Sequence, residues 1–219
     1  DSQMPLLNRL WLKSMQWATS TTLAVSKVVI QKIQISLEPH LIYFPVGRGI
    51  EKAGYIQPVK GDGCRFLYLA NYIRGKGQEQ ALEAFAIVLA QVPTATLKFV
   101  GGDMGLDKNQ QFRTWLKTRA IALGVDHSVV FSGPTSNVVD EMRGADVVLN
   151  FSRAESYSQT CVEAGHLGRP VVATRCGGPE EVIVDGETGY LVALDDFYVF
   201  FFFIVYLAVN PALRLEMGR

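Results

Sequence analysis

Cysteine is scarce in this 219-residue chain: Cys64, Cys161 and Cys176 are odd in number and far apart, with no CxxC and no nearby pair of histidines. That scarcity excludes a disulfide framework and a cysteine-based zinc site, and a reduced, cytoplasmic setting fits best. Net charge is missing as well, since 21 Lys and Arg balance 21 Asp and Glu without any polybasic run. The chain therefore lacks the electrostatic footprint of a general nucleic-acid binder or of a protein held on an anionic lipid surface. No apolar run reaches the about 20 residues of a membrane span; the longest, residues 197–209, has 13. No basic segment followed by an apolar run and a small-residue cleavage site is visible, so no signal peptide is expected. There is no GxGxxG between a strand and a helix and no P-loop, which argues against a nicotinamide-binding domain and a nucleoside triphosphatase.

What is present is alternation. From residue 66 onward, short apolar β-type runs at 66–70, 96–100, 129–132, 146–151 and 170–174 are separated by stretches of helical period. That order predicts a parallel α/β sheet with helices on both faces, its buried strands reading as continuous apolar runs. Residues 78–91 place Ala81, Leu82, Phe85, Val88 and Leu89 on one helical face. A second helix is expected over 107–123, stopped by Gly124, and a shorter one over 135–143. The apolar run 197–209 reads first as a buried helix or strand, then as a surface meeting a part of the protein outside this chain, and last as a membrane-interface segment; 211–219 reads as a short amphipathic helix.

The front has a different texture. Residues 1–40 give a helix-like stretch with Leu10, Trp11 and Trp17, a β-type run at 19–26 and a second helix at 27–36. They are too few for a domain, so they read as the tail of an upstream unit with a connector, before a main domain over 41–219. Three of the nine prolines and five glycines fall between residues 39 and 63, a loop-rich crossing with hinge character at 45–63.

The chemistry concentrates in residues 153–189. Glu155 and Glu163 flank an expected helix start, because Ser156 with Gln159 has the capping-box form and Ser158 is an alternative cap. Glu155 then sits at the mouth of the helix, and Glu163 lies about 7.5 Å further along its axis. That helix opens at the carboxyl edge of the sheet, where its N-terminal amides at Ser158, Gln159 and Thr160 suit a phosphate and the two carboxylates suit sugar hydroxyls. The combination fits a nucleoside-diphosphate sugar. Spacing alone does not carry this reading, since two such glutamates also arise as one solvated carboxylate and one surface ion pair.

The surrounding run is more specific. Glu155, Glu163-Ala164, Gly168-Arg169-Pro170-Val171-Val172-Ala173, Gly177-Gly178, Glu181 and Thr188-Gly189-Tyr190-Leu191-Val192, in that order, resemble the family 4 retaining glycosyltransferases. The LKFVGGD run at 97–103 and the VFSG run at 130–133 look like the same family's second strand and the strand before its base-contacting loop, and the likeness spans roughly residues 41–196. The resemblance implies the C-terminal, donor-binding half of a GT-B fold, with 1–40 the remnant of an N-terminal acceptor domain. It implies transfer of a hexose from a UDP, GDP or ADP sugar with retention, without metal or cofactor. The acceptor, a saccharide, a lipid-linked molecule or a small molecule, would be held by the first domain, and peripheral contact at the inner membrane face fits such an enzyme.

Carried over residue by residue, Glu163 would bind the ribose and Glu155 the transferred sugar. Tyr157, Ser158, Gln159 and Thr160 would offer amides to sugar hydroxyls and the distal phosphate, and Gly101, Gly102 and Gly133 lie in the base loops. Lys76, in Gly75-Lys76-Gly77, would neutralise the leaving diphosphate. The family's arginine five residues before that lysine is Asn71 here, so the role falls to Arg74 or to a neutral donor at Asn71. Pro45-Val46-Gly47 resembles the family's interdomain motif without its asparagine. A non-catalytic nucleotide-sugar module and a nucleotide-sugar epimerase of the same build are the alternatives. His40, His127 and His166 have no assigned partner, Asn150-Phe151-Ser152 is a sequon by pattern only, and Cys161 reads as a small core residue although a helix N-terminus would lower a thiol pKa.

Overall fold

A computed structural model describes residues 23–24, 27, 40–41, 50–53, 55 and 63–219. The helix-like stretch at 1–17 and nearly all of the 19–36 and 45–63 segments lie outside the described residues. The chain divides into two units, Asp1–Pro45 and Val46–Arg219. In the first, β1 (Leu23–Ala24) pairs in parallel with β2 (His40–Leu41).

The second unit begins with α1 (Ile50–Ala53) and is built on six parallel strands: β3 (Arg65–Leu69), β4 (Thr96–Val100), β5 (Val129–Ser132), β6 (Val147–Asn150), β7 (Val171–Thr174) and β8 (Gly189–Val192). Their spatial order is β5-β4-β3-β6-β7-β8. This is the doubly wound order, and its direction reverses between β3 and β6, which leaves a crevice beyond their carboxyl ends. Five of the strands follow the apolar runs to within a residue or two. The sixth, β8, is not predicted by composition: it is four residues long and begins with a glycine that packs on the Val171 backbone.

The helices between strands are α2 (Gln78–Gln91), α3 (Asp107–Ala122), α4 (Val138–Arg143) and α5 (Gln159–His166), with α6 (Phe197–Val209) and α7 (Pro211–Met217) closing the chain. Two cores cover the two sheet faces. Phe66, Tyr68, Phe85, Phe99, Leu116 and Phe200 fill one beneath α2, α3 and α6. Leu67, Val100, Val148, Cys161 and Ala164 fill the other beneath α1, α4 and α5. The helix expected over 135–143 starts only at Val138, because the Asn137 side chain accepts the Asp140 N–H and fixes the cap there.

The apolar run at 197–209 is a helix, but only one side of it is buried. Phe200, Ile204, Leu207 and Ala208 pack inward, whereas Tyr198 and Phe202 are exposed, at 86% and 61%. A helix apolar all round necessarily carries such an outward stripe when only one face meets the sheet layer. Its C-terminal carbonyls at Leu207 and Ala208 accept from the buried Arg214 guanidinium on α7.

Candidate active site at the sheet switch point

The loops leaving β3 and β6 meet at the reversal in strand order. The β3 loop carries Gly75-Lys76-Gly77. Gly77 has φ +81 and leads directly into α2, and a Cβ there would lie 2.1 Å from the Phe151 carbonyl oxygen at the end of β6. Only glycine permits that approach. The loops are further joined by the Arg153 N–H, which donates to the Gly75 carbonyl at 2.8 Å. Lys76 is thereby brought to Glu155, its Nζ donating to Oε1 at 2.7 Å. The Ser152 hydroxyl donates to the same carboxylate oxygen at 2.7 Å. Both side chains of the ion pair keep some exposure, 30% for Lys76 and 17% for Glu155, so the pair faces the crevice rather than the core. One of the three ammonium donors is used by Glu155, and among the described residues no other partner takes the remaining two.

Glu155 is held from its other side by residues after β7. Its N–H donates to the Cys176 carbonyl at 3.3 Å, and its carbonyl accepts from the Gly178 N–H at 2.9 Å. Helix α5 starts where the sequence places it, at Gln159, with Ser158 as the capping residue through its backbone. The Ser158 hydroxyl does not cap the helix, contrary to the sequence expectation, and Ser156 is exposed outside it. Asn150 Nδ2 donates to the Ser158 oxygen at 2.7 Å, while the hydroxyl lies 3.0 Å from Cys161 Sγ. Ser158 adopts a left-handed backbone, φ +59; Met104, in the loop after β4, is the other such non-glycine among the described residues. Backbone strain of this kind collects at ligand sites. Thr160 ties α5 to the end of β3, its hydroxyl donating to the Leu69 carbonyl at 3.2 Å. Glu163 is 6% exposed one turn further on, 3.4 Å from Gln159 Nε2.

The remaining predicted residues divide. Asn71 ends the β3 side of the crevice, and its Oδ1 accepts the Gly102 N–H at 3.0 Å. Gly101 lies so close to β3 that a Cβ would be 2.0 Å from the Ala70 carbonyl. Gly133 follows β5, beside Ser132, whose carbonyl accepts from the Tyr72 hydroxyl at 2.9 Å. Tyr157 is half-buried in the loop between Glu155 and α5. Arg74 is not brought to this group. It pairs with Glu79 at 2.7 Å and lies over the Phe112 and Trp115 rings, at 4.9 and 5.5 Å, on α3. The Cys161 thiol is not activated either: burial pushes it up to about 12, outweighing the Ser158 and Asn150 hydrogen bonds that favour the thiolate. Burial also raises Cys176. His166 is exposed in the last turn of α5, and Asn150 is buried at the end of β6, unsuited to glycosylation. Among the described residues no group of three His, Cys, Asp or Glu could hold a metal ion.

The arrangement, a cation and a carboxylate from opposite sides of the switch point with a helix N-terminus and a buried glutamate behind them, is complementary to an anionic, hydroxyl-rich ligand. The family model for glycosyl transferases group 1 matches residues 56–196. The chain belongs to that family. As a group 1 chain it is 34% identical over 164 residues to the D-inositol 3-phosphate glycosyltransferase of Acidothermus cellulolyticus, covering 72% of this chain and 36% of that protein. It is 31% identical over 153 residues to the alpha-1,3/1,6-mannosyltransferase ALG2 of Dictyostelium discoideum, covering 62% and 36%. The chain thus spans little more than a third of these relatives. Among solved structures, sucrose-phosphate synthase from Thermosynechococcus elongatus superposes with a TM-score of 0.82 at 22% identity, over 100% of this chain and 56% of that one. Anabaena HepE, solved with UDP and glucose, superposes with a TM-score of 0.81 at 21% identity, over 96% and 60%. The six-stranded parallel sheet with its helices matches the Rossmann-like layer of the GT-B fold.

Sequence reasoning missed Tyr68, Ser152 and Gln78. Ser152 stands three residues before Glu155, a local turn spacing that could have signalled it. Gln78 Nε2 donates to the Asn71 carbonyl at 2.8 Å and Tyr68 bonds across the sheet, and neither contact has a local signal.

Proposed function

We propose that this chain is the donor-binding half of a metal-independent, retaining hexosyltransferase that takes a nucleoside-diphosphate sugar. The observation that carries the reading is the 2.7 Å contact between Lys76 Nζ and Glu155 Oε1, across the point where the strand order reverses. The diphosphate would lie against Lys76 and the amides at the start of α5, with Glu155 on the transferred sugar and Glu163 on the ribose. The base would meet the loops of Gly101, Gly102 and Gly133. As the glycosidic C–O bond lengthens, negative charge grows on the leaving phosphate, and a preorganised ammonium in a closed cleft stabilises it in the role a metal ion plays elsewhere. Retention follows if the leaving phosphate receives the acceptor proton on the face it departs from, so no protein nucleophile is assigned. The name of one relative, a mannosyltransferase, supports a hexose donor. The acceptor would be bound by a second domain beyond this chain.

One observation favours a second reading, a nucleotide-sugar module without transfer. With Asn71 bonded to Gly102 and Arg74 packed on α3, neither supplies a second cation beside Lys76. Melting the chain with UDP, GDP and ADP, then with their hexose conjugates, tests the donor site. A ligand at about 100 times its Kd stabilises by about 2.7 kcal/mol. The expected result is a shift with one nucleoside diphosphate that Glu163→Ala abolishes. No shift with any of them in a folded chain overturns the donor-site reading. Joining the chain to its acceptor domain then separates the two readings, since transfer supports the enzyme and binding alone the module.

A further inference from the structure

The lysine at the centre of the site has little of its own to hold it. Gly75 and Gly77, on either side, have φ of +91 and +81 and no side chains to brace the loop. Within the loop, the Lys76 N–H donates to the Ile73 carbonyl at 3.0 Å. The Lys76 carbonyl is fixed from below by a residue of the sheet. Tyr68, on β3, is 1% exposed, and its hydroxyl donates to that carbonyl. The same oxygen accepts the Phe151 N–H at 2.7 Å. One phenol oxygen therefore joins the loop that carries Lys76 to the end of β6, four residues before Glu155.

We infer that the Tyr68 hydroxyl is the positioning group of the Lys76–Glu155 pair, setting where the ammonium meets a bound diphosphate. The inference rests on the donor-half reading. The ring is itself immobilised by Phe99 and Phe151, with centroids 5.5 and 6.1 Å away, so the hydroxyl has a fixed origin from which to hold the loop. Burial raises the phenol pKa well above its ordinary value, against the lowering effect of the Phe151 bond, so the group remains a donor throughout the physiological range. A phenylalanine would preserve the ring packing and remove both bonds, leaving the Lys76 carbonyl and the Phe151 N–H without this partner. The glycine-flanked loop would then be free to carry the ammonium away from Glu155, while the ribose and base contacts would be untouched.

The test measures equilibrium binding of UDP, GDP and ADP, and of uridine, guanosine and adenosine, to the 219-residue chain and to Tyr68→Phe, Lys76→Met and the double variant. Tyr68→Phe is expected to weaken the preferred nucleoside diphosphate about tenfold and to leave its nucleoside unchanged; the unchanged nucleoside also shows that the variant is folded. In the Lys76→Met background the same substitution is expected to cost less than about twofold, because the group it positions is gone. Equal weakening of nucleoside and nucleoside diphosphate, or the full tenfold loss in both backgrounds, would make Tyr68 a packing residue only and overturn the inference. If the unaltered chain binds nucleosides and nucleoside diphosphates alike, or neither, the donor-half reading fails and the positioning role with it.

Discussion

The two glycines around Lys76 allow the close approach of the site loops to be tested inside one turn. Both have left-handed backbones, so alanine at either position meets the ordinary penalty of about 1–2 kcal/mol for an L-residue there. Their surroundings differ. A Cβ at Gly75 would have nothing within 4 Å, whereas one at Gly77 would lie 2.1 Å from the Phe151 carbonyl oxygen and 2.5 Å from its carbon. These are backbone atoms at the end of a buried central strand, and relief requires the loops to part by about 1.3 Å or more to reach ordinary contact distance. Gly75→Ala should therefore cost about 1–2 kcal/mol and Gly77→Ala about 3–4 kcal/mol, the second figure adding steric strain to the backbone term. At about 2–4 °C per kcal/mol for a unit of this size, the melting temperatures should fall by about 2–8 °C and about 6–16 °C. The parting also lengthens the Lys76–Glu155 contact, so Gly77→Ala should weaken nucleoside diphosphate binding at least tenfold, about the worth of one charge-assisted hydrogen bond. Urea denaturation and titration calorimetry on both variants give the comparison. Melting of the two variants within about 2 °C of each other, with equal affinities, would refute the argument, because the loop would then have slack that the geometry denies it.

Helix α6 offers a contrast between its two sides: Phe200→Ala, which empties a site 2% exposed and 4.5 Å from the Phe151 ring, should cost about 3–5 kcal/mol in chemical denaturation, whereas Tyr198→Lys should stay within about 0.5 kcal/mol. Stability should also fall in alkali. The Cys161 thiol is raised by burial from 9.0 to about 12 in the folded chain, so above pH 9 the unfolded chain releases a proton that the folded chain keeps, and the stabilisation present below pH 9 is lost progressively up to about pH 12. Melting temperatures between pH 8 and 11 should drop less steeply for Cys161→Ala than for the unaltered chain, and parallel curves would contradict the assignment.

Much of the architecture is written in local patterns. The strands at 96–100 and 129–132 and the helix at 78–91 coincide with their apolar periods, because each buries a continuous run or a single stripe. The order of strands and helices also places the Glu155 loop and the α5 N-terminus at the ligand edge of the sheet. What escapes the sequence depends on partners distant in the chain. Ser158 has the local form of a cap, yet its hydroxyl is taken by Asn150 from the neighbouring strand end. Arg74 stands two residues from Lys76, but the stacked Phe112 and Trp115 rings and Glu79 hold it against α3. Tyr68 reads simply as a strand aromatic, since the two backbone groups it joins are 8 and 83 residues away. The short β8 gives little periodic signal, and the outward stripe of α6 is invisible in a run that is apolar at every position.

The pairing of β3 with β6 has a consequence for how the chain acquires its site. Phe66 registers against Val147, so about eighty residues, including all of β4 and β5, must be threaded before the central seam can close. Contacts of such sequence separation form late and slow folding. Lys76 and Glu155 lie on opposite banks of that seam, so ligand binding during refolding should appear with the last cooperative step rather than with early secondary structure. The seam is also a natural cleavage line: a piece carrying β3 to β5 and a piece carrying β6 to β8 each hold three neighbouring strands, and only their reassociation restores the crevice.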